Sequence, residues 1–209
     1  MTSSLSTFHL LNATDVPLPS PTSTSFTLTP PLTSMTDIWR KPGPPEINTF
    51  NAPVIYKMIN LATFQRLRVT LSGAWDKLYD QGGLVLVVPD PGCSQNPTEA
   101  ALKGQWVKSG IEFVDDAPKV GTVACDRFAD WSLVTEGIVP ASSGGTNATQ
   151  VTIEMERRPV DDTLVRTWEP CFILFSLFRV SNVSRYMSCT FSCTFSCTFS
   201  FSCPFLKQI

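Results

Sequence analysis

Three residues of the stretch Gln105 to Val114 could do chemistry together. A strand alternates its side chains, so Trp106, Lys108, Gly110 and Glu112 fall on one face and Val107, Ser109, Ile111 and Phe113 on the other. One face is a core face. The other sets an indole, an ammonium and a carboxylate side by side, which is costly unless the groups are solvated or used. The plain reading is a Lys108/Glu112 ion pair propping Trp106, since neighbours on one strand face interact. Two other stretches carry similar groups. Tyr79, Asp80 and Gln81 stand just ahead of Gly82 and Gly83, and Asp37-Ile-Trp-Arg-Lys places an acid, an indole and two cations together.

Catalysis is limited by what the chain lacks. Its one histidine is His9, so a Ser-His-Asp or Cys-His arrangement would have to recruit a residue from the N-terminal stretch. Cys93 and Cys125 are isolated, and Cys189, Cys193 and Cys197 lie in a repeat with no histidine partner, so no zinc site is expected. Asp115-Asp116 and Asp161-Asp162 read as solvated turns, because calcium needs six to eight oxygens. Gly144-Gly145 has no following helix and is not a phosphate cradle. Glycoside hydrolysis needs two carboxylates roughly 5–10 Å apart. Glu112 could serve as the acid, with Asp80 or Asp130 converging from another strand. Sugar binding asks for less: aromatic rings that stack on pyranose faces and polar groups that fix hydroxyls. Trp39, Trp106 and Trp131 with Gln81, Asp130 and Lys108 supply both.

The elements that must position these residues read as strands. Seventeen prolines among 209 residues, with short apolar runs between turn residues, favour an all-β domain. Leu84 to Val88 is a continuous apolar run that suits a strand in mid-sheet. Phe64 to Trp75 alternates Leu67, Val69 and Leu71 against Arg66, Arg68 and Thr70, and is expected to pair with Leu84 to Val88 across the turn at Asp76 to Asp80. Ser25 to Leu28 suits an edge, Pro89 to Gly104 a loop, and Lys119 to Cys125, Leu133 to Val139 and Gln150 to Arg158 further strands.

A net charge of −2 offers no basic excess for a phosphate backbone, so no nucleic-acid partner is expected. The first twenty residues lack a basic n-region and an apolar h-region, and Cys171 to Phe178 is too short to span a bilayer. The expectation is a cytoplasmic protein with no membrane partner, reduced thiols and no cofactor.

With Asp37-Ile-Trp-Arg-Lys, Leu78-Tyr-Asp-Gln-Gly-Gly-Leu, Trp106-Val-Lys-Ser-Gly-Ile-Glu-Phe and Asp130-Trp-Ser in view, the chain resembles the fungal branch of a family of function-unknown domains that includes the regulation-of-enolase protein. The resemblance covers roughly residues 5 to 165. It implies a concanavalin A-like jelly roll of two antiparallel sheets, with Trp39, Tyr79, Gln81, Lys108, Glu112, Asp130 and Trp131 gathered towards the concave face. It implies no assigned reaction. Residues 1–167 therefore read as the sandwich domain, incomplete at its C-terminus. Residues 168–209, with Ser188-Cys-Thr-Phe repeated to Phe199, read as an atypical low-complexity tail resembling translated simple-sequence DNA. That tail is apolar, uncharged over much of its length and prone to aggregate. The reading that follows is a non-enzymatic module binding a carbohydrate or polyol through Trp39, Tyr79, Gln81, Trp106, Lys108, Glu112, Asp130 and Trp131. A regulator docking on a metabolic enzyme and a glycosidase or lyase using Glu112 are the alternatives.

Overall fold

A computed structural model describes residues 8–13, 16–20, 25–29, 35–59, 64–73, 75–90, 96–134, 149–156, 171–178 and 189–192. Residues 171–178, 189–192 and Thr149 are described as backbone alone. Gly144, Gly145, Asp161, Asp162, Cys93, Cys193 and Cys197 lie outside these residues.

The chain folds as a two-sheet antiparallel β-sandwich. The strands are β1 (His9–Leu11), β2 (Ser25–Leu28), β3 (Ile38–Lys41), β4 (Ile47–Phe50), β5 (Val54–Ile59), β6 (Arg66–Gly73), β7 (Gln81–Val88), β8 (Gln105–Val114), β9 (Ala117–Cys125), β10 (Ala129–Val134), β11 (Thr149–Glu156), β12 (Cys171–Phe178) and β13 (Cys189–Ser192), with one short helix, α1 (Pro97–Lys103). A seven-stranded sheet runs β1-β5-β12-β7-β8-β9-β10, a four-stranded sheet runs β11-β6-β13-β2, and β3 and β4 form a separate hairpin.

β7 lies between β12 and β8, in mid-sheet as its apolar run requires, and β2 is an edge strand as its flanking prolines suggest. The expected β6/β7 pairing does not form. β6 pairs with β11 and β13 in the opposite sheet, because the chain changes sheets at Trp75–Asp80. In a sandwich, two strands adjacent in sequence can face each other across the core instead of sharing a ladder. β12 and β13, from the stretch that the sequence sets apart as a tail, take places inside the two sheets. β12 pairs with β5 and β7, and β13 pairs with β6 and β2.

Two apolar cores result. The first fills the space between the sheets with Phe8, Leu28, Ile55, Leu67, Val69, Leu71, Leu84 and Ile111. The second lies on the other face of the large sheet. There Val54, Tyr56, Val85, Val87, Trp106 and Val123 are covered by Ile38 and Phe50 of the hairpin and by Ala100 and Ala101 of α1. Burying a large apolar side chain contributes roughly 1.5–3 kcal/mol, so this second layer is a major part of the fold. It also decides what the strand pattern leaves open. The polar face of β8 is covered and not solvated: Lys108 is 5% exposed and Glu112 7%.

Helix α1 lies inside the stretch Pro89 to Gly104, where the sequence predicts a loop. Its seven residues are too few to show a period, yet its start is signalled. Asn96 accepts from the N–H of Thr98 at 2.9 Å and of Glu99 at 3.2 Å, with Pro97 in the first turn. What ends it is more informative. Arg40 Nη2 donates to the carbonyls of Ala101 (3.2 Å), Leu102 (2.7 Å) and Gly104 (3.2 Å). Its Nη1 reaches the Asp126 carbonyl at 3.2 Å and its Nε reaches Asn48 Oδ1 at 3.1 Å. One guanidinium thus ties β3, β4, the end of α1 and the turn before β10 together.

Glycine is required where β7 and β8 meet. Gly83 and Gly110 are partners in the ladder. A Cβ on Gly110 would overlap the Gly82 carbonyl oxygen, and one on Gly83 would overlap that of Ser109. Backbone cannot move aside as a flexible side chain can. Gly110→Ala is therefore expected to cost at least about 2 kcal/mol by forcing the strands apart, read as a lowered midpoint in urea. An unchanged midpoint contradicts the close approach.

Candidate functional site

On the hairpin-covered face of the large sheet the ladder sets Gln81 opposite Glu112, Val85 opposite Lys108 and Val87 opposite Trp106. The next ladder brings Lys119, Gly121, Val123 and Cys125 to the same face, and the last adds Trp131 opposite Val123. Alternation thus delivers a row of polar side chains from four strands.

These side chains form one hydrogen-bonded relay. Lys108 Nζ donates to the Ile38 carbonyl at 2.8 Å and to Gln81 Oε1 at 3.1 Å. Gln81 Nε2 donates to Glu112 Oε1 at 3.1 Å. Glu112 Oε2 accepts from Trp131 Nε1 at 2.9 Å. The orientation of the Gln81 amide follows from its neighbours, because a flipped amide would aim its carbonyl at a carboxylate and its NH2 at an ammonium. Glu112 rests over Gly121, where a Cβ would come within 2.9 Å of Oε2. A hollow of about 20 Å3, room for roughly one water, opens among Gln81, Gly83, Lys108, Gly110, Glu112 and Gly121.

Asp37, quoted in a motif but not counted among the candidates, joins the group. Its Oδ1 lies 3.8 Å from Lys108 Nζ, and its backbone is held by Asn51, whose Oδ1 accepts from Asp37 N at 2.7 Å. Two residues on from Asp37, Trp39 presents its ring 5.6 Å from Lys108 Nζ. Nothing local in the sequence tells that residues 37 and 108 meet. The hairpin folding back over β8 makes the contact.

Burial dominates the electrostatics. It pushes the Lys108 ammonium below its usual 10.5, opposed by Asp37 and then Glu112. It lifts the Glu112 carboxyl above 4.5, opposed by the Trp131 hydrogen bond and by Lys108, and the Asp37 carboxyl above 3.8, opposed by Lys108. A carboxylate whose folded pKa is raised favours the fold most below its unfolded value and loses that contribution as pH rises through the folded one. Measured against Glu112→Gln, the protein is therefore expected to lose stability as pH rises from 4.5. Urea midpoints for both proteins across that window test this, and a wild-type curve parallel to that of the variant contradicts it.

The remaining candidates are placed as follows. Trp106 is 3% exposed and packs in the second core, so it supports the site from below and offers no ring to a ligand. Asp130 pairs with Ala124, which puts it on the opposite face from Glu112 and Trp131. Tyr79 is 40% exposed and belongs to a bulge. Tyr79 N donates to the Phe113 carbonyl and Phe113 N to the Asp80 carbonyl, both at 2.9 Å, so two residues oppose one. Tyr79 has φ of 65°, a region where this bulge normally has glycine. His9 stacks on Tyr56 with ring centroids 5.1 Å apart, on β1 at the far edge of the sheet from β10. Among the described residues no three His, Cys, Asp or Glu side chains converge as metal ligands, and no helix is long and apolar enough to cross a membrane.

Comparison with known proteins agrees with the fold. A solved structure described as that of a functionally unknown protein from Saccharomyces cerevisiae superimposes with a TM-score of 0.53 at 17% identity, over 91% of this chain and 95% of that one. An uncharacterized protein of Emericella nidulans is 49% identical over 129 residues, 62% of this chain and 54% of its own length. The protein named Regulation of enolase protein 1 of Saccharomyces cerevisiae is 29% identical over 70 residues, 34% of this chain and 29% of its own. The chain thus spans about half the length, or less, of these two curated relatives. Residues 19–169 match the profile of a family described as proteins of unknown function, DUF1349, and the chain belongs to that family.

Proposed function

We propose that the chain is a binding module that takes a carbohydrate or polyol at the mouth of the relay, between the rings of Trp39 and Trp131. The observation that carries this reading is the Trp131 indole, 40% exposed yet tethered by its N–H to the buried Glu112 carboxylate. An exposed ring held at a fixed angle over buried polar groups is suited to stacking on a sugar face while those groups take hydroxyls. Buried titratable groups with displaced pKa values concentrate at functional sites. The ligand set is narrower than the sequence suggested: Trp39, Asp37, Glu112 and Trp131 at the mouth, with Gln81 and Lys108 behind them. Binding on a glycan array, lost in Trp131→Ala with the fold intact, supports the reading. An array with no signal, or one that Trp131→Ala leaves unchanged, overturns it.

Both Glu112 oxygens accept N–H bonds, which favours an ionised acceptor over a proton-donating acid. Turnover of an oligosaccharide that Glu112→Gln abolishes would show an enzyme instead. A second reading, docking on a metabolic enzyme, starts from the name of the yeast relative. Leu78 and Tyr79, 53% and 40% exposed at a strained bulge, favour a protein contact there. Retention of purified enolase that Tyr79→Gly abolishes, together with a blank glycan array, would select it.

A further inference from the structure

The distribution of donors and acceptors at the mouth narrows the ligand further, an inference that rests on the binding reading above. Every hydrogen-bond donor of the relay is directed inward or already used. The Lys108 ammonium, 5% exposed, points at the Ile38 carbonyl, Gln81 Oε1 and Asp37. The Gln81 NH2 donates to Glu112, and the Trp131 N–H does the same. Lys119, beside Glu112 in the ladder, is engaged by Asp115. Arg40 is 6% exposed and spends its guanidinium on carbonyls and Asn48.

What these side chains themselves leave on the outside is of one kind. The Asp37 carboxylate is 31% exposed. The Glu112 carboxylate lies behind it, with two oxygens and spare lone pairs. Trp39, partly buried, and Trp131 supply ring faces, which carry negative charge density. Acceptors and π-faces together reward a cation that can also donate hydrogen bonds. The internal precedent is Lys108 itself, whose ammonium already sits by Asp37 and the Trp39 ring.

We propose that the ligand carries an ammonium group, and that within carbohydrates it is an amino sugar with a free, unacetylated amine. The amine would sit at Asp37 against the indole faces, with neighbouring hydroxyls donating towards Glu112. An acidic sugar would bring a carboxylate against two carboxylates and is disfavoured.

Calorimetric titration of the full chain tests this, at a pH below the pKa of the amine, with four probes: a glucosamine oligomer, its N-acetylated counterpart, a uronic-acid oligomer and spermidine. The glucosamine oligomer is expected to bind about tenfold or more tighter than the acetylated one, with no binding of the uronic-acid oligomer. Asp37→Asn, which keeps the side-chain shape, is expected to erase that preference. Equal affinity for the two glucosamine oligomers overturns the ammonium proposal and leaves the carbohydrate reading standing. Binding of spermidine alone, dependent on Asp37, keeps the ammonium and removes the sugar. Failure of all four probes to bind the folded chain overturns both.

Discussion

Lys108→Met is expected to lower folding stability by about 3–5 kcal/mol, the range for removing one partner of a buried charge pair. Methionine fills nearly the same volume, so the loss is electrostatic and not a cavity effect. It leaves the Ile38 carbonyl, Gln81 Oε1 and the Asp37 carboxylate facing each other without the cation that now joins them. The Glu112 carboxylate loses its opposing charge one step along the relay. Urea unfolding measures this as a lowered midpoint at unchanged slope. Adding Glu112→Gln to Lys108→Met is expected to cost less than the sum of the two single changes, because the second removes a charge that the first has stranded. Strict additivity would show that the two groups do not communicate, and the relay would then be a set of separate contacts.

Arg40→Ala is expected to cost a similar amount, about 3–5 kcal/mol, since it strips partners from four buried or half-buried carbonyls at once. Those carbonyls belong to α1, to the residue after it and to Asp126, so the loss loosens the whole cover of the second core. Arg40→Lys is expected to recover only a minority of the stability, because a point ammonium cannot reproduce the planar fork. If the lysine variant matches the wild type, Arg40 contributes charge alone, and the clamp described for it is wrong. A functional consequence follows from the same geometry. Arg40 anchors β3, which carries Ile38 and Trp39 and continues from Asp37, so its loss is expected to weaken ligand binding even under conditions where the chain stays folded.

The sequence carried the site's strands better than its surroundings. The alternation of β8 put Lys108 and Glu112 on one face, and the apolar run of β7 put it in mid-sheet, since both properties are written within a single strand. What covered that face was not written there. The β3–β4 hairpin lies some sixty residues upstream, and only its tertiary return buries the polar row and brings Asp37 to Lys108. A buried polar face and a solvated one have the same spacing, so the pattern could not tell them apart. Trp106 was misplaced as a ligand-facing ring for that reason: it shares the parity of Lys108, but the cover over it is α1 and Ile38. Asp130, which the resemblance implies together with Trp131, faces the other way, because neighbours on a strand alternate and Trp131 takes the site-facing position. Helix α1 was within reach, because Asn96, Pro97 and Glu99 form a recognisable helix start. That β6 pairs with β11 and β13 and β7 with β12, instead of with each other, was not, because no local feature distinguishes a hairpin from a strand that crosses to the facing sheet.

The relay holds the exposed Trp131 ring through one bond, from the indole N–H to Glu112 Oε2, and the binding proposal turns on that bond. Its proton resonance, followed by NMR in indole-labelled protein during titration with the glucosamine oligomer, is the most direct probe. The account predicts a saturable shift of that one resonance, and in Glu112→Gln a different starting position with a weakened response. A Trp131 signal that stays fixed at saturating ligand, or is the same in Glu112→Gln as in the wild type, would contradict it.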